Sequence, residues 1–154
     1  MLSEDTIILF GITPGMTNFQ KVHTALKVFM KEKKEIDYND RFNIIFFTKE
    51  GPKYFEDFTL KPSYLLDTLS EHQSEIIKAD IAGGIFIAAM YVVEVFKRIS
   101  GKCFRMIILS DGESKKIPDK QMPFLSDLLE KITDMPFIMD AVRIDGEDPR
   151  DDLR

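Results

Sequence analysis

The sequence predicts a three-layer α/β domain, with a mostly parallel central sheet, one antiparallel edge strand and helices on both faces. Short apolar runs bounded by turn-forming residues have the pattern of strands buried on both sides. Residues 6–10 have this pattern, and further strands are predicted at 104–109 and 137–144. Longer segments between them carry apolar residues at three- and four-residue spacing, which is typical of amphipathic helices. This alternation favours parallel strands joined by right-handed crossovers.

The first strand, TIILF, is followed by a Gly/Pro-rich turn and then by a predicted helix that begins near Asn18. The apolar face of this helix consists of Phe19, Val22, Leu26, Phe29 and Met30. Residues 42–48 (FNIIFFT) are rich in β-forming side chains, and Gly51-Pro52 separates them from the more polar run 53–59. Two strands joined by so short a turn are predicted to pair antiparallel, with the polar strand at the sheet edge.

Three more helices are predicted. Pro62 suits the first turn of one of them, whose three leucines share a face. The segment 81–99 is apolar nearly all round, which predicts the most buried helix of the protein. A last helix is expected at residues 122–132. We expect one domain over residues 1–154, whose acidic end fits either a tail or the start of a further element.

Composition places the chain among ordinary globular proteins, since it has 154 residues, of which 44% are hydrophobic and 31% charged. A single cysteine excludes an internal disulfide, and two separated histidines leave no zinc cluster, so a reducing, cytoplasmic location is expected. A net charge of -5 disfavours binding to nucleic acid. The longest apolar segment is interrupted by Glu94, so a membrane is not expected as a partner either.

Ligands of such sheets bind beyond the carboxyl ends of the strands. Three segments are predicted to meet there: Gly11 to Asn18, Gly83 to Ile87, and Ser110 to Glu113. The sequence lacks the signatures of phosphate loops, dinucleotide-binding turns and nucleophile elbows. We therefore expect no enzymatic activity.

The same three segments resemble a known family in their order and spacing. They read GITPGM at 11–16, GGIFIAAM at 83–90 and IILSDGE at 107–113. The resemblance is to the von Willebrand factor A-type (vWA) domain, also called the integrin I-type domain. That family carries Asp-x-Ser-x-Ser, a threonine in a Gly-Gly-Thr loop, and Asp-Gly after a hydrophobic strand. The resemblance covers about residues 5–154 and implies a Rossmann-like fold.

The resemblance also implies that the metal-ion-dependent adhesion site of the family is degenerate here. Gly11 stands at the first aspartate, Gly15 at the second serine and Ile85 at the threonine, so only Thr13 and Asp111 remain as vestigial ligands. One hydroxyl and one carboxylate are too few for the near-octahedral oxygen coordination that Mg²⁺ requires. We expect no bound metal and no other cofactor.

Purely structural roles fit these residues as well. Asp111-Gly112 is a strong turn signal by itself, in which the carboxylate caps its own loop. Pro14 fits the bend between strand and helix, and Thr13 or Thr17 fits a helix cap.

The function that the resemblance implies is protein binding. Many intracellular members of the family are subunits of larger assemblies, such as proteasome, transcription and repair, trafficking or chaperone complexes. We predict a non-catalytic adaptor or scaffold domain whose partner is another protein in such a complex. Losing three polar ligands makes the carboxyl edge of the sheet less polar, which favours apolar contact. The predicted partner-binding residues are Ile12, Thr13, Pro14, Met16, Ile85, Phe86, Asp111 and Glu113.

Two alternatives belong to other classes. A metal-dependent adhesion module would hold Mg²⁺ or Mn²⁺ with Asp111, Thr13, Glu113 and a carboxylate of the partner. A small α/β enzyme would instead bind a phosphorylated ligand between Gly11 and Asn18, at the start of the first helix.

Overall fold

The computed structural model describes residues 3–12, 16–55, 57–77, 80–98, 102–110 and 137–143, together with Pro123, Ser126, Asp127 and Glu130. It contains the strands β1 (Glu4–Gly11), β2 (Arg41–Thr48), β3 (Gly51–Lys53), β4 (Cys103–Ser110) and β5 (Phe137–Arg143). These form one sheet in the order β3-β2-β1-β4-β5. Every neighbouring pair is parallel except β2 with β3. The predicted sheet, mostly parallel with an antiparallel edge strand, is therefore confirmed.

The helices are α1 (Met16–Ile36), α2 (Pro62–Glu71) and α3 (Ile81–Arg98), with a short 3-10 turn at Gln73–Glu75. Helices α1 and α2 pack on one face of the sheet and α3 packs on the other. The predicted helices on both faces are thus confirmed. Of the helix expected at 122–132, the four described residues are helical, and the remainder lies outside the described residues. None of the described helices is long and apolar enough to cross a membrane.

The alternation of side chains along β1 explains why its sequence is apolar throughout. Ile8 and Phe10 face α1 and α2, whereas Ile7 and Leu9 face α3. All four are at most 1% exposed. Both faces of this strand are buried, so neither needs polar side chains. Successive side chains pack alternately into two separate cores.

The antiparallel strand β3 differs from its predicted position. Residues 53–59 were expected to form it, with Gly51-Pro52 as the turn, but the turn is Lys49-Glu50 and the strand is Gly51–Lys53. Gly51 has φ +114°, which only glycine adopts readily, and Pro52 lies opposite Phe47 on the outermost strand. Proline is tolerated there because an edge strand leaves half of its N–H groups unpaired.

Beyond β3, the outer edge of β2 is occupied by two other contacts. The Asn43 carboxamide is fully buried, donates to the carbonyl oxygen of Phe55 at 3.0 Å and accepts from the Phe55 N–H at 3.3 Å. Phe42 and Thr59 exchange two backbone hydrogen bonds, of 2.9 and 2.8 Å. The continuous strand predicted at residues 53–59 is therefore replaced by the side-chain contacts of Asn43 and by a single backbone bridge at Thr59.

Helix α3 is also less completely buried than its composition predicts. Its inner side, including Ala88 and Val92, is fully buried against the sheet. On its outer side Phe86 is 38% exposed, Met90 52% and Phe96 40%. Among the described residues α3 still has more buried positions than α1 or α2, as predicted, but its outer apolar face is not covered by the domain that carries it.

Two ion-pair networks lie at the amino end of the sheet. On the α1 side, the Glu4 carboxylate accepts from Lys33 Nζ at 2.7 Å and from Arg105 Nε at 2.8 Å. On the α3 side, Asp5 is fully buried and accepts two hydrogen bonds from the Arg41 guanidinium, of 3.0 and 2.6 Å. The chain thus joins the amino ends of β1, β2 and β4 by charge-assisted bonds.

The Glu4 network predicts a pH dependence of stability. Burial opposes ionisation of Glu4, but the hydrogen bonds and charges of Arg105 and Lys33 outweigh it and lower the pKa of Glu4. The resulting stabilisation is complete above the unfolded pKa, about 4.3, and is lost as the pH falls through the folded pKa. We expect the melting temperature of the wild type to drop more between about pH 5 and pH 3 than that of Glu4→Gln. Equal drops in the two proteins would contradict this assignment.

Candidate functional site

The candidate site is the carboxyl edge of the sheet, where the strands end. The last residues of β1 and β4, Gly11 and Ser110, lie opposite each other in register. The segment leading into α3 reaches the same edge at the end of β2, because the Ile77 N–H donates to the carbonyl oxygen of Phe47 at 2.9 Å. The edge therefore brings together the end of β1, the end of β4 and the start of α3.

Two features position the start of α3: a helix cap from Asp80 and the close packing of Gly84 against Leu9. Asp80 Oδ1 accepts from the Gly83 N–H at 3.0 Å and so caps the helix. At Gly84, an added methyl group would lie 2.4 Å from Leu9 Cδ1, so the glycine allows the helix to sit close to β1. Gly83 to Ile87 thus belongs to the first turns of α3, within the helix predicted at residues 81–99.

The predicted partner-binding residues have different exposures. Ile12 is 1% exposed and packs into the core on the α1 side, and Ile85 is 8% exposed and packs into the core on the α3 side. Phe86, in contrast, is 38% exposed. The side chain of Met16, the first residue of α1, lies outside the described part of the structure. The same holds for Thr13, Pro14, Asp111 and Glu113.

Met90 extends the exposed apolar surface that Phe86 begins. It follows Phe86 by four residues on α3, so the two side chains share the outer side of the helix, and it is 52% exposed. We call these two residues the α3 ridge. Met90 was not among the predicted partner-binding residues, although its spacing from Phe86 in a predicted helix was a usable signal.

The α3 ridge offers apolar contact beside this edge, whereas Ser110 and Asp80 are polar groups at the edge itself. Gly11 has no side chain to offer, and Ile85 directs its side chain into the core. Within the described ranges, no group of three or more histidine, cysteine, aspartate or glutamate side chains is placed to hold a metal ion.

Comparison with known proteins gives similarity in structure but not in sequence. No protein-family model matches the sequence, and no curated protein matches it. The chain is similar to the crystal structure of the SpRpn10 VWA domain, with a TM-score of 0.57 and 12% identity, covering 99% of this chain and 94% of that chain. It is also similar to proximal thread matrix protein 1 from the mussel byssus, with a TM-score of 0.51 and 16% identity, covering 91% of this chain and 37% of that chain.

Proposed function

We propose that this chain, which has the vWA-type fold, is a non-catalytic adaptor or scaffold domain that binds another protein within a larger complex. Docking takes place at the carboxyl edge of the sheet, through its loops and the adjoining α3 ridge, and needs no metal ion. The observation that carries this proposal is the exposure of Phe86 and Met90 on a helix whose other side is buried. Exposed large apolar side chains that lie together are typical of protein-binding surfaces.

The positions aligned with the metal ligands of the family support docking without a metal. Gly11 and Ile85 stand where the resemblance places an aspartate and a threonine, and neither supplies a side-chain oxygen. A partner that bridges through a carboxylate would gain little here. A partner with an apolar surface would bury Phe86 and Met90 with little loss of polar hydration.

Charge on the α3 ridge tests the proposal. We expect the double substitution Phe86→Glu/Met90→Glu to weaken partner binding by at least about tenfold, because two carboxylates would be desolvated in the interface. Partners are captured from native extract by the tagged wild type, identified, purified and titrated against each variant. Val28→Glu is the control, since Val28 is an exposed aliphatic residue (50%) on α1.

The role of metal is tested in the same titrations. We expect the affinity for the partner to be the same in EDTA, in Mg²⁺ and in Mn²⁺. We also expect the Asp111→Ala variant to bind the partner with unchanged affinity. Loss of the complex in chelator would instead support the metal-dependent module with Asp111 and Thr13. Full binding by the Phe86→Glu/Met90→Glu variant would place the docking surface elsewhere. A charge at Ile12 is unsuitable as a test, because that side chain is buried and the substitution would probe folding.

A further inference from the structure

A groove between α1 and α2 lies on the face of the sheet opposite the α3 ridge. Its volume is about 460 Å³. Its floor is apolar, with Leu66 and Pro62 from α2, and one wall is formed by lysines of α1. The lining lysines are Lys27, Lys31 and Lys34. The size is within the range of about 300–1,000 Å³ that is common for binding sites.

The lysines of this groove form a row. Lys27, Lys31 and Lys34 follow one another at helical spacing, which puts them on one side of α1. Lys34 Nζ donates to the carbonyl oxygen of Tyr38 at 2.6 Å. Lys27 and Lys31 are exposed and form no ion pair with any other residue that the structure describes. Two ammonium groups that contact no described carboxylate therefore line the groove together with Leu66 and Pro62.

The other lining groups include two carboxylates, which reduce the positive charge of the groove but do not cancel it. Glu35 and Asp67 are the acidic lining residues, and both are exposed. His23 Nε2 lies 3.0 Å from the carbonyl oxygen of Leu66 and 2.9 Å from Ser70 Oγ, both of which are neutral groups. The first turn of α2 has no side-chain cap and contributes the positive end of its dipole near Pro62 and Ser63. Three lysines against two carboxylates leave the lining side chains with a net charge of +1, and the helix dipole adds to it.

We propose that this groove is a second protein-binding site, which takes an acidic peptide segment with an apolar residue between its carboxylates. Lys27 and Lys31 are four residues apart on a helix, a separation of about 6 Å along its axis. Alternate side chains of an extended peptide are separated by about 6.6 Å, so two glutamates can pair with the two lysines. The residue between them then faces Leu66 and Pro62. In a chain of net charge -5, this local positive surface selects acidic partners.

This site is independent of the proposed function at the α3 ridge. Helices α1 and α2 pack on one face of the sheet and α3 on the other. A partner on the ridge and an acidic segment in the groove would therefore not compete for the same residues, and the domain would connect two proteins.

The test uses a synthetic probe and the intact chain. A fluorescein-labelled peptide of sequence EGELEGE is titrated at low ionic strength, with QGQLQGQ as the matched neutral control. We expect backbone amide NMR shifts in α1 and at the start of α2, and at least about tenfold weaker binding to Lys27→Glu/Lys31→Glu. The control variant is Lys21→Glu/Lys49→Glu, which reverses two exposed lysines outside the groove. Thermal unfolding of both variants checks that they are folded.

Several results would overturn the proposal. Equal affinity for the neutral peptide would show apolar contact without charge recognition. Equal affinity of the two charge-reversed variants, or NMR shifts confined to other regions, would place the binding elsewhere. A single-stranded oligonucleotide of equal charge that binds the same groove more tightly would identify a nucleic-acid site instead. None of these results depends on Phe86 or Met90, so this proposal and the proposed function can fail separately.

Discussion

Replacing Asp5 with alanine is expected to lower the free energy of unfolding by about 3–5 kcal/mol. The carboxylate is fully buried and receives two hydrogen bonds from Arg41, while Lys102 Nζ lies 3.5 Å away. Without it, the Arg41 guanidinium would remain partly buried against the Phe58 ring, 5.7 Å from its centroid, with no other carboxylate of the described residues within ion-pair distance. The cost is large because a desolvated charge loses its partner, not because the pair itself is strongly stabilising.

Urea denaturation of Asp5→Ala measures this loss, with Lys53→Ala as the matched control. Lys53 pairs with Glu50 at 3.0 Å, but both side chains are exposed, so its removal should cost less than about 1 kcal/mol. Similar costs for the two substitutions would show that burial does not control the energetics of the Asp5 network.

Phe10→Ala is expected to have a comparable effect, lowering the free energy of unfolding by about 3–5 kcal/mol. Phe10 is 1% exposed and meets the Phe19 ring edge-on, with centroids 5.7 Å apart. The substitution removes this aromatic contact and opens a cavity between β1 and α1.

Phe86→Ala provides the control for Phe10→Ala in the same urea titration. Because Phe86 is 38% exposed, its truncation should cost a smaller fraction of the stability, about 1 kcal/mol or less. A loss at Phe86 as large as that at Phe10 would mean that the ridge serves the fold, and it would weaken the argument for docking there.

Strands covered on both faces were predictable because their sequences carry a strong local signal. The continuous apolar run in β1 corresponds to side chains that enter two cores in turn. The position of β3 was not predictable in the same way. Its length depends on the buried Asn43 carboxamide and on the bridge between Phe42 and Thr59, which are contacts between residues distant in sequence. At a sheet edge, such contacts outweigh local β propensity.

The exposure of the candidate residues was predictable in part. Phe86 was chosen for its place beside Ile85, and it is exposed as partner contact would require. Ile12 was chosen for its place beside Gly11, and Ile85 stands where the resemblance places a threonine. The side chains of Ile12 and Ile85 point into opposite cores, a direction that depends on tertiary packing. Lys27, Lys31 and Lys34 stand at helical spacing in the sequence. Their relation to Leu66 and Pro62 required knowing that α2 lies beside α1.

The arrangement around Asn43 limits how copies of this protein can associate through their sheets. On one side, the Asn43 carboxamide and Thr59 already occupy backbone groups of the outer strands, so an incoming strand finds few partners. Strand addition at this border is therefore disfavoured, because groups of the same chain already satisfy the backbone hydrogen bonds that a second molecule would need.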